Sequence, residues 1–184
     1  MRILAISGSL RSGSHNTSLL RAAEELLSPP DALELWDGLR EVPPYDQDDD
    51  VEPIPPAVAA LRAAVASADA VLIATPEYNS SIPGALKNAL DWASRPIATN
   101  VFRNKPVAVI GSSSGMFGAV WAQAELRKVL AAMGARVAEV EVAIGRAQEK
   151  LDEEGRLLDD DVRQQLRDAL ATLTAETPSA LVAA

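Results

Sequence analysis

Residues 70–93 read Ala70-Val71-Leu72-Ile73-Ala74-Thr75-Pro76-Glu77-Tyr78-Asn79-Ser80-Ser81-Ile82-Pro83-Gly84-Ala85-Leu86-Lys87-Asn88-Ala89-Leu90-Asp91-Trp92-Ala93. The first five are apolar at every position, the pattern of a strand covered on both faces rather than one. A polar turn follows. From Pro83 the period changes, and Ile82, Ala85, Leu86, Ala89, Leu90 and Ala93 fall on one helical stripe. Pro83 suits the first turn of that helix, where a missing N–H costs nothing. A doubly covered strand leading into an amphipathic helix is half of a crossover unit, and crossovers make parallel sheets.

The same alternation runs outward in both directions. Ile3 to Ile6 reads as a first strand stopped by Ser7-Gly8-Ser9, and Thr17 to Leu27 as a helix carrying Leu19, Leu20, Ala23, Leu26 and Leu27 inward. Pro29 and Pro30 close that helix, and Ala32 to Trp36 gives a second strand. Val58 to Val65 is a short helix. Downstream come a fourth strand at Pro106 to Ile110, a helix from Gly118 to Met133, and a fifth strand from Arg136 to Val142. Asp159 can cap a last helix that turns Val162, Leu166, Leu170 and Leu173 inward. Residues 37–56 hold five of the twelve prolines and the acids Asp46, Asp48, Asp49 and Asp50, so they read as an exposed loop.

The expectation is therefore an α/β fold: a flavodoxin-like doubly wound sandwich with a five-stranded parallel sheet of order 2-1-3-4-5 and helices on both faces. One domain spans 1–176, and 177–184 form a frayed tail. Ligands of such sheets sit beyond the carboxyl ends of the strands, near the switch between the first and third.

Composition narrows the function classes. A net charge of −9 repels phosphate backbones, which argues against nucleic acid. The absence of cysteine removes disulfides, thiolate nucleophiles and cysteine-held metals. The single histidine leaves little for metal or serine-nucleophile catalysis. Asp46 to Asp50 lacks the glycine pivot of a calcium loop and reads as solvated acid. No run approaches the roughly 18 apolar residues of a membrane span, and Met1 to Ile6 is too short for a signal-peptide core. A cytoplasmic location is expected.

Three polar, glycine-bearing turns should meet at one sheet edge. The first, Ser7 to Thr17, offers helix-start N–H groups, the hydroxyls of Ser9, Ser14 and Thr17, and the planar fork of Arg11. It suits a phosphate, although a plain capped turn with Asn16 as N-cap is the simpler alternative. The second, Thr75 to Gly84, sets Tyr78 and Asn79 where a heteroaromatic ring could lie; Glu77 alone would more often be a cap. The third, Gly111 to Gly118, can form a backbone nest or an ordinary flexible loop.

Gly8-Ser9-Leu10-Arg11 with Ser14 and Asn16, then Pro76-Glu77-Tyr78-Asn79 running into Ile82 to Trp92, resembles the NADPH-dependent FMN reductase family, with its chromate, quinone and azo-dye reductases. The resemblance extends over residues 1–142. It implies that Ser9, Arg11, Ser14, Asn16 and Thr17 hold the FMN phosphate. It also implies that Pro76, Glu77, Tyr78 and Asn79 line the ring, and that Ser112, Ser113, Ser114 and Gly115 contact its far edge. His15 receives no role and reads as a solvated loop residue; Lys87 and Trp92 serve the helix, its packing or a subunit contact.

The activity so implied is ping-pong transfer of hydride from NADPH or NADH to FMN, then of electrons to a flavin, quinone, azo compound or metal oxyanion. No side-chain acid or base is required, and homodimers or homotetramers are the expected assemblies. Two other readings compete: a flavodoxin-type electron carrier for protein partners, which the acidic surface suits, and an idle binding domain on the same fold.

Overall fold

The computed structural model describes residues 1–177, so the expected frayed tail falls, beyond its first residue, outside the described residues. The elements are β1 (Arg2–Ser7), α1 (His15–Glu25), β2 (Ala32–Trp36), α2 (Pro56–Ser67), β3 (Ala70–Thr75), α3 (Gly84–Ala93), β4 (Pro106–Ser112), α4 (Val120–Ala132), β5 (Arg136–Val137), β6 (Ala143–Ile144), α5 (Ala147–Lys150) and α6 (Asp160–Ala175). All pairings between these strands are parallel and the order is β2-β1-β3-β4-β5, as expected.

Alternation within the strands splits the core into two layers. Leu4, Ile6, Val71, Ile73, Val107 and Val109 face α2, α3 and α4. Ile3, Ala5, Leu72, Ala74, Ala108 and Ile110 face α1 and α6. Every residue of β3 and β4 is buried, which is why the sequence carries no polar alternation there. Asp159 caps α6, its side chain accepting from the Val162 N–H at 3.0 Å. Trp92 is fully buried and donates its indole N–H to the Pro43 carbonyl, so it packs inside the chain and not at a subunit surface.

Four expectations are corrected. First, α1 starts at His15, not Thr17, because the Ser14 hydroxyl is the acceptor for the Thr17 N–H and caps it there; Asn16 is no cap. Second, α4 starts at Val120, not Gly118. Gly118 and Ala119 adopt left-handed φ values of +60° and +61°, and a Cβ at 118 would lie 2.2 Å from the Ala143 backbone.

Third, the fifth strand is broken into β5 and β6, with two extra residues relative to β4 between them. The Arg127 guanidinium draws the Val140 carbonyl to 2.6 Å, and the Val140 N–H turns back on the Ala138 carbonyl, so the ladder is interrupted. Fourth, residues 37–56 are not simply exposed. They contain 3₁₀ turns at Gly38–Glu41 and Gln47–Asp49, bury Leu39 and Val42, and pair Asp50 with Arg62 at 2.9 Å. Asp46, Asp48 and Asp49 remain exposed. No helix among the described residues is long and apolar enough to cross a membrane.

Candidate functional site

β1, β3 and β4 end side by side, so their following loops share one edge of the sheet. Gly8 makes a close approach. Its N–H extends the ladder to the Ala74 carbonyl at 2.8 Å, and a Cβ there would sit 2.9 Å from Leu86 on α3. Beyond it, Ser7 Oγ accepts from Thr17 Oγ1 at 2.9 Å, closing the first loop on the first turn of α1. The backbone N–H groups of Ser12, Gly13, Ser14, His15 and Asn16 have no hydrogen-bond acceptor among the described residues. Such a run at a helix start is an anion receptor.

Asn16 is buried, and its amide is committed to β4. Its Nδ2 donates to the Ser112 carbonyl at 3.1 Å, and its Oδ1 accepts from the Ser112 N–H at 2.9 Å. The side chain therefore locks the first loop to the third. Ser112 Oγ, also buried, has no hydrogen-bond partner among the described residues. An orphaned buried hydroxyl costs roughly 1–3 kcal/mol, so it points to a ligand group.

In the second loop, Tyr78 and Ser81 exchange two backbone bonds, at 3.0 and 3.1 Å, across Asn79 and Ser80. Both turn residues have positive φ, 53° and 60°, the geometry of a tight two-residue hairpin. The turn leaves the Tyr78 ring exposed. Glu77 does act as a cap, though of another element's helix: its Oε2 accepts from the Trp121 and Ala122 N–H groups, each at 3.0 Å. The residue that should cap α4, Ala119, has no side chain able to do so. In the third loop, the Ser113 N–H bonds the Ile144 carbonyl and the Gly115 carbonyl accepts from Arg146, pinning the loop to β6 and the residues after it. Phe117 and Trp121 stack edge to face at 5.1 Å beside it, both largely exposed.

Ser9, Arg11, Ser14, Asn16, Pro76, Glu77, Tyr78, Ser112, Ser113 and Ser114 line one cleft of about 160 Å³. Thr17, Asn79 and Gly115 do not line it. Thr17 is instead turned to Ser7, and Asn79 forms the hairpin tip. The enclosed volume is below the ~300–1,000 Å³ of a typical small-molecule pocket, so the cleft has room for only part of a ligand of that size.

His15 also lines this cleft, which the sequence reading did not foresee. It is the first residue of α1 and half-buried, not a solvated loop residue. Partial burial and, less strongly, the Arg11 charge push its pKa below the ordinary imidazole value. A serine at an N-cap position was the available signal, since it moves the helix start back and carries His15 into the site.

The family model for NADPH-dependent FMN reductase matches residues 1–149. An NAD(P)H-dependent FMN reductase of Pseudomonas aeruginosa is 44% identical over 174 residues, covering 94% of this chain and 93% of its own length. A 2-hydroxy-1,4-benzoquinone reductase of a Burkholderia species is 39% identical, covering 91% of each. The solved structure of FerB, an NAD(P)H:(acceptor) oxidoreductase of Paracoccus denitrificans, superposes with a TM-score of 0.83 at 31% identity, over 96% of this chain and 99% of that one. The residues present fit FMN: the free N–H run and Arg11 suit a phosphate monoester, and the orphaned Ser112 hydroxyl suits a polar atom buried with it.

Two outcomes follow from the geometry. Asn16→Ala strands the buried Ser112 N–H and carbonyl, and should lower stability by about 2–3 kcal/mol in urea unfolding; an unchanged midpoint would remove the clasp's role. His15, as the single histidine, gives one imidazole signal by NMR. It should titrate below the usual ~6.5 without FMN and shift upward when the dianion is added. Because the folded form without FMN resists protonation, its stability should fall as pH drops from the unfolded value of about 6.5 through the lower folded one.

Proposed function

The chain belongs to the NADPH-dependent FMN reductase family, and we propose that it passes electrons from a reduced nicotinamide nucleotide, through FMN, to a small acceptor such as a flavin, quinone, azo compound or metal oxyanion. The carrying observation is the run of unpartnered N–H groups from Ser12 to Asn16, set in one cleft with Arg11 and the orphaned Ser112 hydroxyl. When bound, FMN supplies the redox chemistry, accepting hydride from the nicotinamide and releasing electrons to the acceptor.

The chain's own residues position and polarise. The α1 N-terminus contributes aligned N–H donors and about half a positive charge. Arg11 adds a forked, permanent charge, and Ser9 and Ser14 add hydroxyls at the same wall. Thr17 holds Ser7 and so shapes the loop from behind. Pro76, Glu77 and Tyr78 form the wall on which a flat ring can rest, Asn79 shaping the hairpin turn behind it and Glu77 fixing that wall to α4. Ser112, Ser113 and Ser114 close the opposite side, where the Ser112 hydroxyl can donate to a group that carries developing negative charge.

One open face must serve both substrates, so the oxidised nucleotide leaves before the acceptor enters. The acidic surface favours a second reading, an electron carrier docking on protein partners. Direct oxidation of NADPH by the purified protein with a small quinone separates the two, because a carrier requires a partner protein.

Arg11→Ala should weaken FMN binding by roughly ten- to a hundredfold, the size of a charge-assisted hydrogen bond, in fluorescence titration; unchanged affinity would detach Arg11 from the phosphate. Initial-rate plots of nucleotide against acceptor should give parallel lines. Intersecting lines would mean that donor and acceptor are held together, contrary to a shared face.

A further inference from the structure

A second cleft, of about 250 Å³, lies on the other side of the first loop, between α1 and the turn after β2. Ser9 and Arg11 border both clefts. Arg21 enters the second from α1, and Arg40 from the 3₁₀ turn Gly38–Glu41. None of these three arginines lies within ion-pair distance of a carboxylate among the described residues, although Asp37 lines the same cleft. Arg40 is anchored, its Nη2 donating to the Leu10 carbonyl at 2.7 Å, which leaves most of its five N–H donors free. The half-buried Trp36 supplies an apolar wall.

Three guanidinium groups border this cleft against the one carboxylate of Asp37, so the cleft carries an excess of positive charge that an added anion offsets. In a chain of net charge −9 the surrounding field does not attract anions, so the attraction must be local. The cleft adjoins the first through a shared wall, so one elongated ligand can occupy the open face of the first and still reach the second.

We propose that this cleft binds the 2′-phosphate of NADPH through Arg21 and Arg40, with Arg11 shared between the two phosphate sites, and thereby makes NADPH preferred over NADH. The proposal rests on the reductase reading above. NADH presents a hydroxyl at the same position and gains nothing from the arginines.

The test uses FMN-loaded enzyme, so that the first site is filled, and calorimetric titration with 2′,5′-ADP, 5′-ADP and inorganic phosphate. The expected result is that 2′,5′-ADP binds more tightly than the other two. Arg21→Ala, which removes no hydrogen bond recorded among the described residues, should weaken 2′,5′-ADP about tenfold, and Arg40→Lys should lose less than Arg40→Ala. The KM for NADPH should rise relative to that for NADH in both alanine variants, and the preference should fade as salt shortens the screening length below about 10 Å. Equal binding of 2′,5′-ADP and 5′-ADP, or equal KM shifts for both nucleotides, overturns the proposal. Discriminating 2′,5′-ADP binding by an enzyme that oxidises neither nucleotide would keep the cleft and overturn the reductase reading instead.

Discussion

The amide of Asn16 and the backbone of Ser112 hold each other by two hydrogen bonds in the interior, and the placement of the whole site follows from that clasp. A parallel sheet brings the ends of β1, β3 and β4 to one edge, but it does not fix how the loops beyond them lie. The clasp fixes the start of α1 against the end of β4. Glu77 then fixes the second loop to the start of α4, which the third loop leads into. Each loop is thus tied, directly or through α4, to the third. The free N–H run of the first loop is held open as a consequence, because the elements that could fold over it are bonded elsewhere.

Charge is organised around the same point. The chain as a whole is acidic, yet Arg11, Arg21 and Arg40 border one cleft by the start of α1 with Asp37 as its one carboxylate. With a screening length of about 10 Å at 0.1 M salt, a ligand in these clefts feels those arginines, the helix start and the nearby Asp37 and Glu77 far more than the distant acids. His15 belongs to this pattern. It is held toward its neutral form by burial and by Arg11, and so keeps a polar edge in the cleft without adding permanent repulsion.

Burial on both sheet faces made most of the fold legible. β2 falls on its expected residues, β3 and β4 extend by one or two, and Asp159 caps α6 as its spacing implied. What escaped was decided by contacts far apart in sequence. Nothing near Val140 announces that Arg127 will capture its carbonyl and break the fifth strand. Leu39 and Val42, between prolines and acids, pack under α2 and α3 only once the fold exists. The three loops could be chosen from composition, but Asn16's true partner lies 96 residues away, and Arg21 and Arg40 meet only across the β2 edge. Local sequence specifies which residues are available; tertiary structure decides which are spent on the scaffold.

That division also bears on the chemistry. Glu77, the carboxylate of the cleft, has one oxygen occupied by two helix N–H groups, so it is engaged in holding α4 rather than in removing a proton. Asn16 has given its amide to Ser112. The remaining polar side chains of the cleft are hydroxyls, a guanidinium, a phenol and one imidazole that no carboxylate among the described residues orients by a hydrogen bond. A set of this kind lacks the paired acid and base that side-chain catalysis of a hydrolytic or isomerising reaction needs. It is well equipped to bind a phosphate, support a flat ring and favour negative charge on it. The chain supplies position and field, and the reactive atom must come from what it binds.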